Sequence, residues 1–260
     1  MSASDKDSIQ NIIKVAFAVC LVCSVIVSVA AVSLKPIQKA NKQVEIKKNI
    51  LAAAGLLKAD KSIDEQFEVI TTRMVDMRTG NFSTDLDIAT YNQRKASKDP
   101  KQSEKLGRDK DIASIKRLEN YSKIYVVESN GKLQTLILPV RGYGLWSTMR
   151  GFVALESDLN TIVGLGFYEH AETPGLGGEI DNPKWKKMWV GKKLFDNTGV
   201  MKAAVKKGPV DSSISVENEH MVDGLSGATL TSNGVTNLIR FWMGKDGFAP
   251  FLNKLKAGEA

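Results

Sequence analysis

Cysteine is almost absent from this 260-residue chain: Cys20 and Cys23 are the only two, and both lie in an apolar stretch near its start. The rest of the chain can therefore form neither an internal disulfide nor a thiolate metal cluster. Histidine is equally scarce. His170 and His220 stand alone, and neither has an acid ordered beside it in the manner of a hydrolytic triad or a zinc site. No Gly-x-Gly-x-x-Gly run links a strand-like segment to a helix, so no dinucleotide-binding turn is readable. Internal repeats are missing too. Aromatics are 7% of the residues and do not interleave with the basic ones, so the net charge of +7 is not the footprint of a nucleic-acid binder. A basic surface beside anionic headgroups accounts for that charge.

Long apolar runs are lacking, with one exception. Val15 to Leu34 is uncharged for 20 residues, about what a helix needs to cross a hydrocarbon core. A cleaved secretory signal is the competing reading, with Lys6 and Lys14 as its basic start and Ser28-Val29-Ala30 as a small-x-small site. The run exceeds the roughly 7–15 residues of a signal core, which favours an anchor. Cys20 and Cys23 then lie inside the membrane. The Cys-x-x-Cys spacing invites a redox or metal reading, but Ser24 stands where haem attachment needs histidine, and two thiolates do not complete a four-thiolate cluster. Small apolar residues packing in a bilayer explain them as well, and a ligand set shared with a neighbouring protein stays open. Lysines 35, 39, 42, 47 and 48 follow the run, whereas only Lys6 and Lys14 precede it. By the positive-inside rule alone, the main domain would stay in the cytoplasm.

What remains, 43% hydrophobic and 25% charged over the whole chain, has ordinary globular composition. The layout predicted is a tail over 1–14, a transmembrane helix over 15–34, a connecting helix over 35–60 and a main domain over 61–260. Pro36 is expected to end the spanning helix, and Ile50, Leu51, Ala54 and Leu57 recur at helical spacing. Residues 64–91 have a mixed pattern. From Arg94 to Arg117, nine basic residues face four acids, which reads as a solvated loop or lid. Ile124 to Val127 and Leu133 to Val140 flank Asn130-Gly131, a hairpin signal. Gly151 to Leu155 and Thr161 to Tyr168 are two further strand-like runs. The fold class expected is α+β: one N-terminal transmembrane helix, then a soluble domain with a mostly antiparallel sheet and flanking helices, not alternating βαβ units. Val235, Leu238, Ile239 and Trp242 place an amphipathic helix from about Asn233 to Met243.

Two segments rich in small residues stand out. One runs His170-Ala-Glu172-Thr173-Pro174-Gly175-Leu176-Gly177-Gly178-Glu179; the other runs Asp223-Gly-Leu-Ser226-Gly227-Ala228-Thr229-Leu-Thr231-Ser232. Small residues let the backbone approach a flat ligand or a phosphate. Pro-Gly and Ser-Gly pairs also mark ordinary turns. The second segment differs by its place before a helix, where unpaired N–H groups and a partial positive charge stabilise a phosphate. Thr229 would present its hydroxyl there. Trp146, after Gly142-Tyr143-Gly144, is able to stack on a ring or to fill the core. Lys206 and Lys207 suit either a phosphate or plain solvent.

Asp223-x-x-Ser226-Gly227-Ala228-Thr229 resembles the motif of FMN-binding domains in which the last threonine is joined to FMN by a phosphoester. His170-x-Glu172-Thr173-Pro174-Gly175-Leu176-Gly177 is similar to the segment beside the isoalloxazine in the NqrC subunits of sodium-pumping NADH:quinone oxidoreductases and in the G subunits of the related Rnf complexes. The likeness extends over nearly the whole chain. The length of the Arg73 to Lys123 segment points to the sodium pump rather than to Rnf.

The resemblance implies covalent FMN on Thr229, contacted by Asp223, Ser226, Gly227, Ala228, His170, Glu172, Thr173, Leu176 and Gly177, with Trp146 and Lys207 as further candidates. It implies an electron relay within a six-subunit complex of the bacterial inner membrane, with NADH and quinone bound elsewhere. A flavin transferase using FAD would act during maturation, and the domain would face the periplasm, against the lysine asymmetry. A non-redox sensor or assembly factor, and a stand-alone flavin reductase, are the rival readings of the same residues.

Overall fold

The computed structural model describes residues 8–260. Lys6 and the first half of the expected 1–14 tail lie outside the described residues.

The chain divides into two compact units, Met1–Glu45 and Ile46–Ala260. Helix α1 (Ile9–Ala53) supplies all the described structure of the first unit. Within that unit the apolar side chains of the helix are open all round: Phe17, Val27 and Val32 are each at least 66% exposed. A helix this apolar on every side has no aqueous resting place, and it has the length and composition to cross a membrane. The expected break at Pro36 does not occur, because the helix continues through it to Ala53. A proline interrupts a helix by removing one N–H and crowding the preceding turn. Beside an apolar span, a full break would strand several more backbone groups, so a continuous helix is the smaller penalty. Regular helix ends at Ala53, short of the expected Asp60.

In the second unit, α2 (Ile63–Phe67) leads into β1 (Ile70–Asp76) and β2 (Asn81–Phe82). Then come α3 (Gln93–Ala96), β3 (Ser103–Lys105) and β4 (Arg117–Glu119). The long strands follow as β5 (Tyr121–Ser129), β6 (Lys132–Tyr143), β7 (Thr148–Glu156) and β8 (Ile162–Glu169). A 3₁₀ turn (Gly177–Asp181), α4 (Pro183–Lys187), β9 (Ala204–Val205), α5 (Ser215–His220) and β10 (Met221–Val222) precede α6 (Thr229–Trp242) and α7 (Ala249–Ala257).

One antiparallel sheet organises this unit, in the order β2-β1-β5-β6-β7-β8. The hairpin stands as expected, with Asn130 at φ 52° and Gly131 at φ 70°, the left-handed pair that suits a two-residue turn. Residues 64–91 show only a mixed pattern in sequence, yet Ile70–Asp76 pairs along its length with β5, from Ile70 opposite Val127 to Asp76 opposite Tyr121. One sheet face carries the end of α1, where Ile50 and Leu51 are buried against Ile137, Phe152 and Ala154. The other carries α6 and α7, with Val235, Leu238, Ile239 and Trp242 packed on Leu138, Val140 and Met149.

The basic side chains of segment 94–117 are exposed, Arg117 alone being half-buried, but the backbone that carries them is pinned to the sheet rather than loose. Arg141 on β6 is 6% exposed and binds the fully buried Glu119 at 2.6 Å, and its second nitrogen donates to the Arg117 carbonyl at 2.7 Å. Gln93 reaches the other Glu119 oxygen at 2.7 Å. Arg94 holds Glu169 at 2.7 Å, and the Asp111 carboxylate accepts the Ile115 and Lys116 N–H groups. A charge count misses this because two of the anchoring partners, Arg141 and Glu169, lie on strands far away in sequence. The segment reaches the core through Ala113, whose carbonyl takes the Tyr143 N–H at 2.9 Å.

Candidate functional site

The helix expected from Asn233 starts four residues sooner, so Thr229 is its first residue and Ala228 its cap. Gly227 permits the entry, at φ 70°, a left-handed conformation that a side chain would resist. Ala228 is buried and gives no side-chain cap, and the first turn holds no acid. Ser232 is the first residue of this helix whose N–H returns to a carbonyl, that of Ala228 at 3.0 Å. The N–H groups of Thr229, Leu230 and Thr231 have no acceptor among the described residues. Thr229 itself is exposed. An open helix N-terminus with a free hydroxyl and a glycine approach suits a phosphate.

The 170–179 segment folds against that terminus. Glu172 is 4% exposed; its Oε2 accepts from the Thr231 hydroxyl at 2.6 Å and the Leu145 N–H at 3.0 Å, and its Oε1 accepts from the Trp146 and Ser147 N–H groups at 3.1 and 3.2 Å. Burial pushes this carboxyl upward, but the Thr231 hydroxyl and the three backbone donors outweigh it and hold the group below its ordinary range. Leu176 is 43% exposed and lies over Gly227, where an added Cβ would come 2.9 Å from its Cδ2. At Gly177 an added Cβ would meet the Thr231 oxygen at 2.5 Å. The two motifs, separated in sequence by more than forty residues, thus meet at one helix end.

The other singled-out residues divide. Ser226 and Thr173 are exposed at the site, and the Thr173 carbonyl takes the Gly178 N–H at 2.8 Å. Asp223 Oδ1 accepts the Val210 N–H at 2.7 Å, and the Asp223 carbonyl accepts the Trp185 indole N–H at 2.9 Å. This ties the segment carrying exposed Lys207 to the motif, whereas Lys206 is paired with Glu217. His170 accepts the Glu172 N–H on Nδ1, so its proton sits on Nε2 and is donated to Asp181 at 2.7 Å. Trp146 is 64% exposed at the rim, not in the core. His220 is buried away from the motif, with Nδ1 against the Lys193 carbonyl. Cys20 and Cys23 are exposed on α1, and among the described residues no group of three or more His, Cys, Asp or Glu could hold a metal ion.

Two neighbours escaped the sequence reading. Leu145, 39% exposed, stands beside Trp146, and Thr231 carries the hydroxyl that joins the motifs. Thr231 lies inside a motif already singled out; for Leu145 only the flanking Gly144 gave a signal.

Residues 144–244 match the family described as the FMN-binding domain. Over 99% of its length the chain is 53% identical to the whole of a Pseudomonas aeruginosa protein, the C subunit of a Na(+)-translocating NADH-quinone reductase. It is 48% identical to the Vibrio anguillarum protein of the same description, over 98% of each chain. The crystal structure of NqrC from Shewanella oneidensis superposes with a TM-score of 0.76 at 36% identity, over 84% of this chain and 99% of that one.

Proposed function

The chain belongs to the NqrC family, the C subunits of Na(+)-translocating NADH-quinone reductases, which are membrane oxidoreductase complexes, and from that premise we propose that FMN is carried as a phosphoester on Thr229 and relays electrons between neighbouring carriers. The choice of the sodium pump over the Rnf relative agrees with this membership.

The observation that carries the attachment is the contrast between two threonines on one helix turn. Thr229 is exposed at the first position, above three N–H groups without acceptors, whereas Thr231 is 1% exposed with its hydroxyl committed to Glu172. In the transfer, the Thr229 oxygen attacks the FMN phosphorus of FAD, the P–O–P bond breaks and AMP leaves. The hydroxyl proton passes to the departing phosphate or to solvent. The three N–H groups and the helix dipole stabilise the negative charge during the exchange. Lys207 adds a cation from the segment tied to Asp223. Leu145, Trp146 and Leu176 offer exposed apolar surface for a flat ring. Bound FMN supplies one-electron chemistry; the chain supplies its position and electrostatic surroundings.

A flavin transferase is the maturation partner, and the other members of a six-subunit complex are the electron partners. The helix α1 is a single inner-membrane span with the main domain in the periplasm, where a tether prevents loss of the cofactor by dilution. Mass spectrometry of the full chain, made in its membrane together with the transferase, tests the reading. A gain of one FMN less one water on the Thr229 peptide is expected. No gain with the transferase active refutes the attachment and leaves the sensor or assembly-factor reading ahead.

A further inference from the structure

Glu172 has a geometry that neither attachment nor stacking requires. Its two oxygens take four hydrogen bonds, all from neutral donors, and three of the four come from consecutive backbone N–H groups at Leu145, Trp146 and Ser147. No ion pair among the described residues involves it. The charge is therefore balanced by dipoles alone, those of the loop and of the α6 terminus, on a side chain that is itself 4% exposed.

The surroundings are shaped to fit this carboxylate. A Cβ on Gly144 would lie 2.6 Å from Oε1, and one on Gly177 would lie 3.1 Å from the Glu172 Cβ. The segment bearing Glu172 is itself fixed: Ala171 N–H donates to the Ser147 hydroxyl at 2.7 Å, and Glu172 N–H donates to His170, which is held by Asp181, which Lys186 meets at 3.0 Å. Three pieces of chain that are remote in sequence, the 144–147 loop, the 170–177 segment and the start of α6, are joined at one side chain. The loop it grips presents Leu145 and Trp146, and the helix it grips presents Thr229.

We propose that Glu172 is a positioning residue for the flavin: it fixes the Leu145–Ser147 loop relative to the attachment helix, and its charge, without a cationic partner, lowers the reduction potential of the flavin beside it. This rests on FMN being carried at Thr229. A negative charge on a buried side chain is less screened than one in water and opposes the arrival of an electron on a neighbouring flavin more, so its removal raises the potential. Glu172→Gln keeps the shape and removes the charge; Glu172→Asp keeps the charge and shortens the reach.

The experiment uses the full chain in three forms, wild type, Glu172→Gln and Glu172→Asp, each made with the transferase. Flavin content is read by mass, the midpoint potential by spectroelectrochemical titration, and amide exchange at residues 145–147 by deuterium uptake. The uptake is repeated in a Thr229→Ala background, where no flavin contributes. Flavin should remain attached in all three. The potential should rise in Glu172→Gln and move less in Glu172→Asp, and exchange at 145–147 should accelerate by about tenfold or more in both variants, with or without flavin. Unchanged potential in a fully loaded Glu172→Gln protein overturns the electrostatic role. Unchanged exchange overturns the positioning role. Should Glu172→Gln fail to fold, Glu172→Asp and Thr231→Val still read the loop: protection retained in both refutes the proposal. Wild type without FMN would instead fail the attachment reading, while the exchange result still decides the strut.

Discussion

The Thr231 hydroxyl donates to Glu172 Oε2 at 2.6 Å across 59 residues of chain, and both side chains are buried. This bond closes the 170–179 segment onto the 223–232 segment and removes one of two neighbouring threonine hydroxyls from reaction. It also gives the pair opposite responses to mutation.

Thr229→Ala removes an exposed hydroxyl at the first helix position, so stability should stay within about 0.5 kcal/mol while covalent FMN is lost completely. Thr231→Val should instead lose about 1–3 kcal/mol, because Glu172 gives up a donor in a buried setting, while Thr229 remains chemically competent. Urea unfolding and peptide mass spectrometry separate the two; flavin retained in Thr229→Ala on another residue refutes the assignment.

Gly144→Ala places a Cβ 2.6 Å from Glu172 Oε1. Either the loop or the carboxylate must move, at a cost of about 1–3 kcal/mol, and the Leu145–Ser147 donors lose register. Chemical unfolding measures the loss. The control is Gly131→Ala at the hairpin tip, where nothing lies within 4 Å of an added Cβ and only the left-handed backbone resists, at roughly 1 kcal/mol.

The carboxyl of Glu172 is held below its ordinary value of 4.5 in the folded chain. A lowered folded value means that its stabilisation is fully present above the unfolded value and is lost as pH falls through the folded one. The stability difference between wild type and Glu172→Gln should therefore be flat from neutral pH down to about pH 5 and shrink below it. Thermal melts of both proteins between pH 7 and pH 3 check this; a difference that grows on acidification contradicts it.

Glu119 is fully buried between Arg141 and Gln93. Glu119→Ala leaves the Arg141 charge buried without its partner, which should destabilise by about 3–5 kcal/mol. The segment 94–117 should then detach before the sheet unfolds, giving early protease cleavage there. Cleavage no faster than in wild type counts against the clamp.

Local signals were readable because each depends on neighbours in sequence. The uncharged run Val15–Leu34 is long enough for a bilayer whatever it later touches, Asn130-Gly131 turns because of its own backbone, and Ser226 to Thr229 is small enough to admit a phosphate. The resemblance carried by those small residues then placed the chain in its family. The reading failed where partners are distant. Pro36 looked like a helix end because proline removes a donor, yet one lost donor costs less than the several backbone groups a full break would strand beside an apolar span. Ile70–Asp76 lacks a clear pattern because it becomes a strand only by pairing with β5. The basic residues between Arg94 and Arg117 are exposed as their composition suggests, but the anchoring of that segment was not readable, because Arg141 and Glu169 lie far along the chain.

The sequence by itself determined the apolar span, the antiparallel hairpin and the presence of a small-residue motif next to a helix, since turn geometry, transfer free energy and helix-end polarity act over a few residues. Tertiary structure alone decided that α6 begins at Thr229, that Thr231 is withdrawn into a hydrogen bond, and that Glu172 faces a loop of three N–H groups. Those outcomes depend on which buried polar groups find partners, and a buried carboxylate takes the donors that the fold brings within reach.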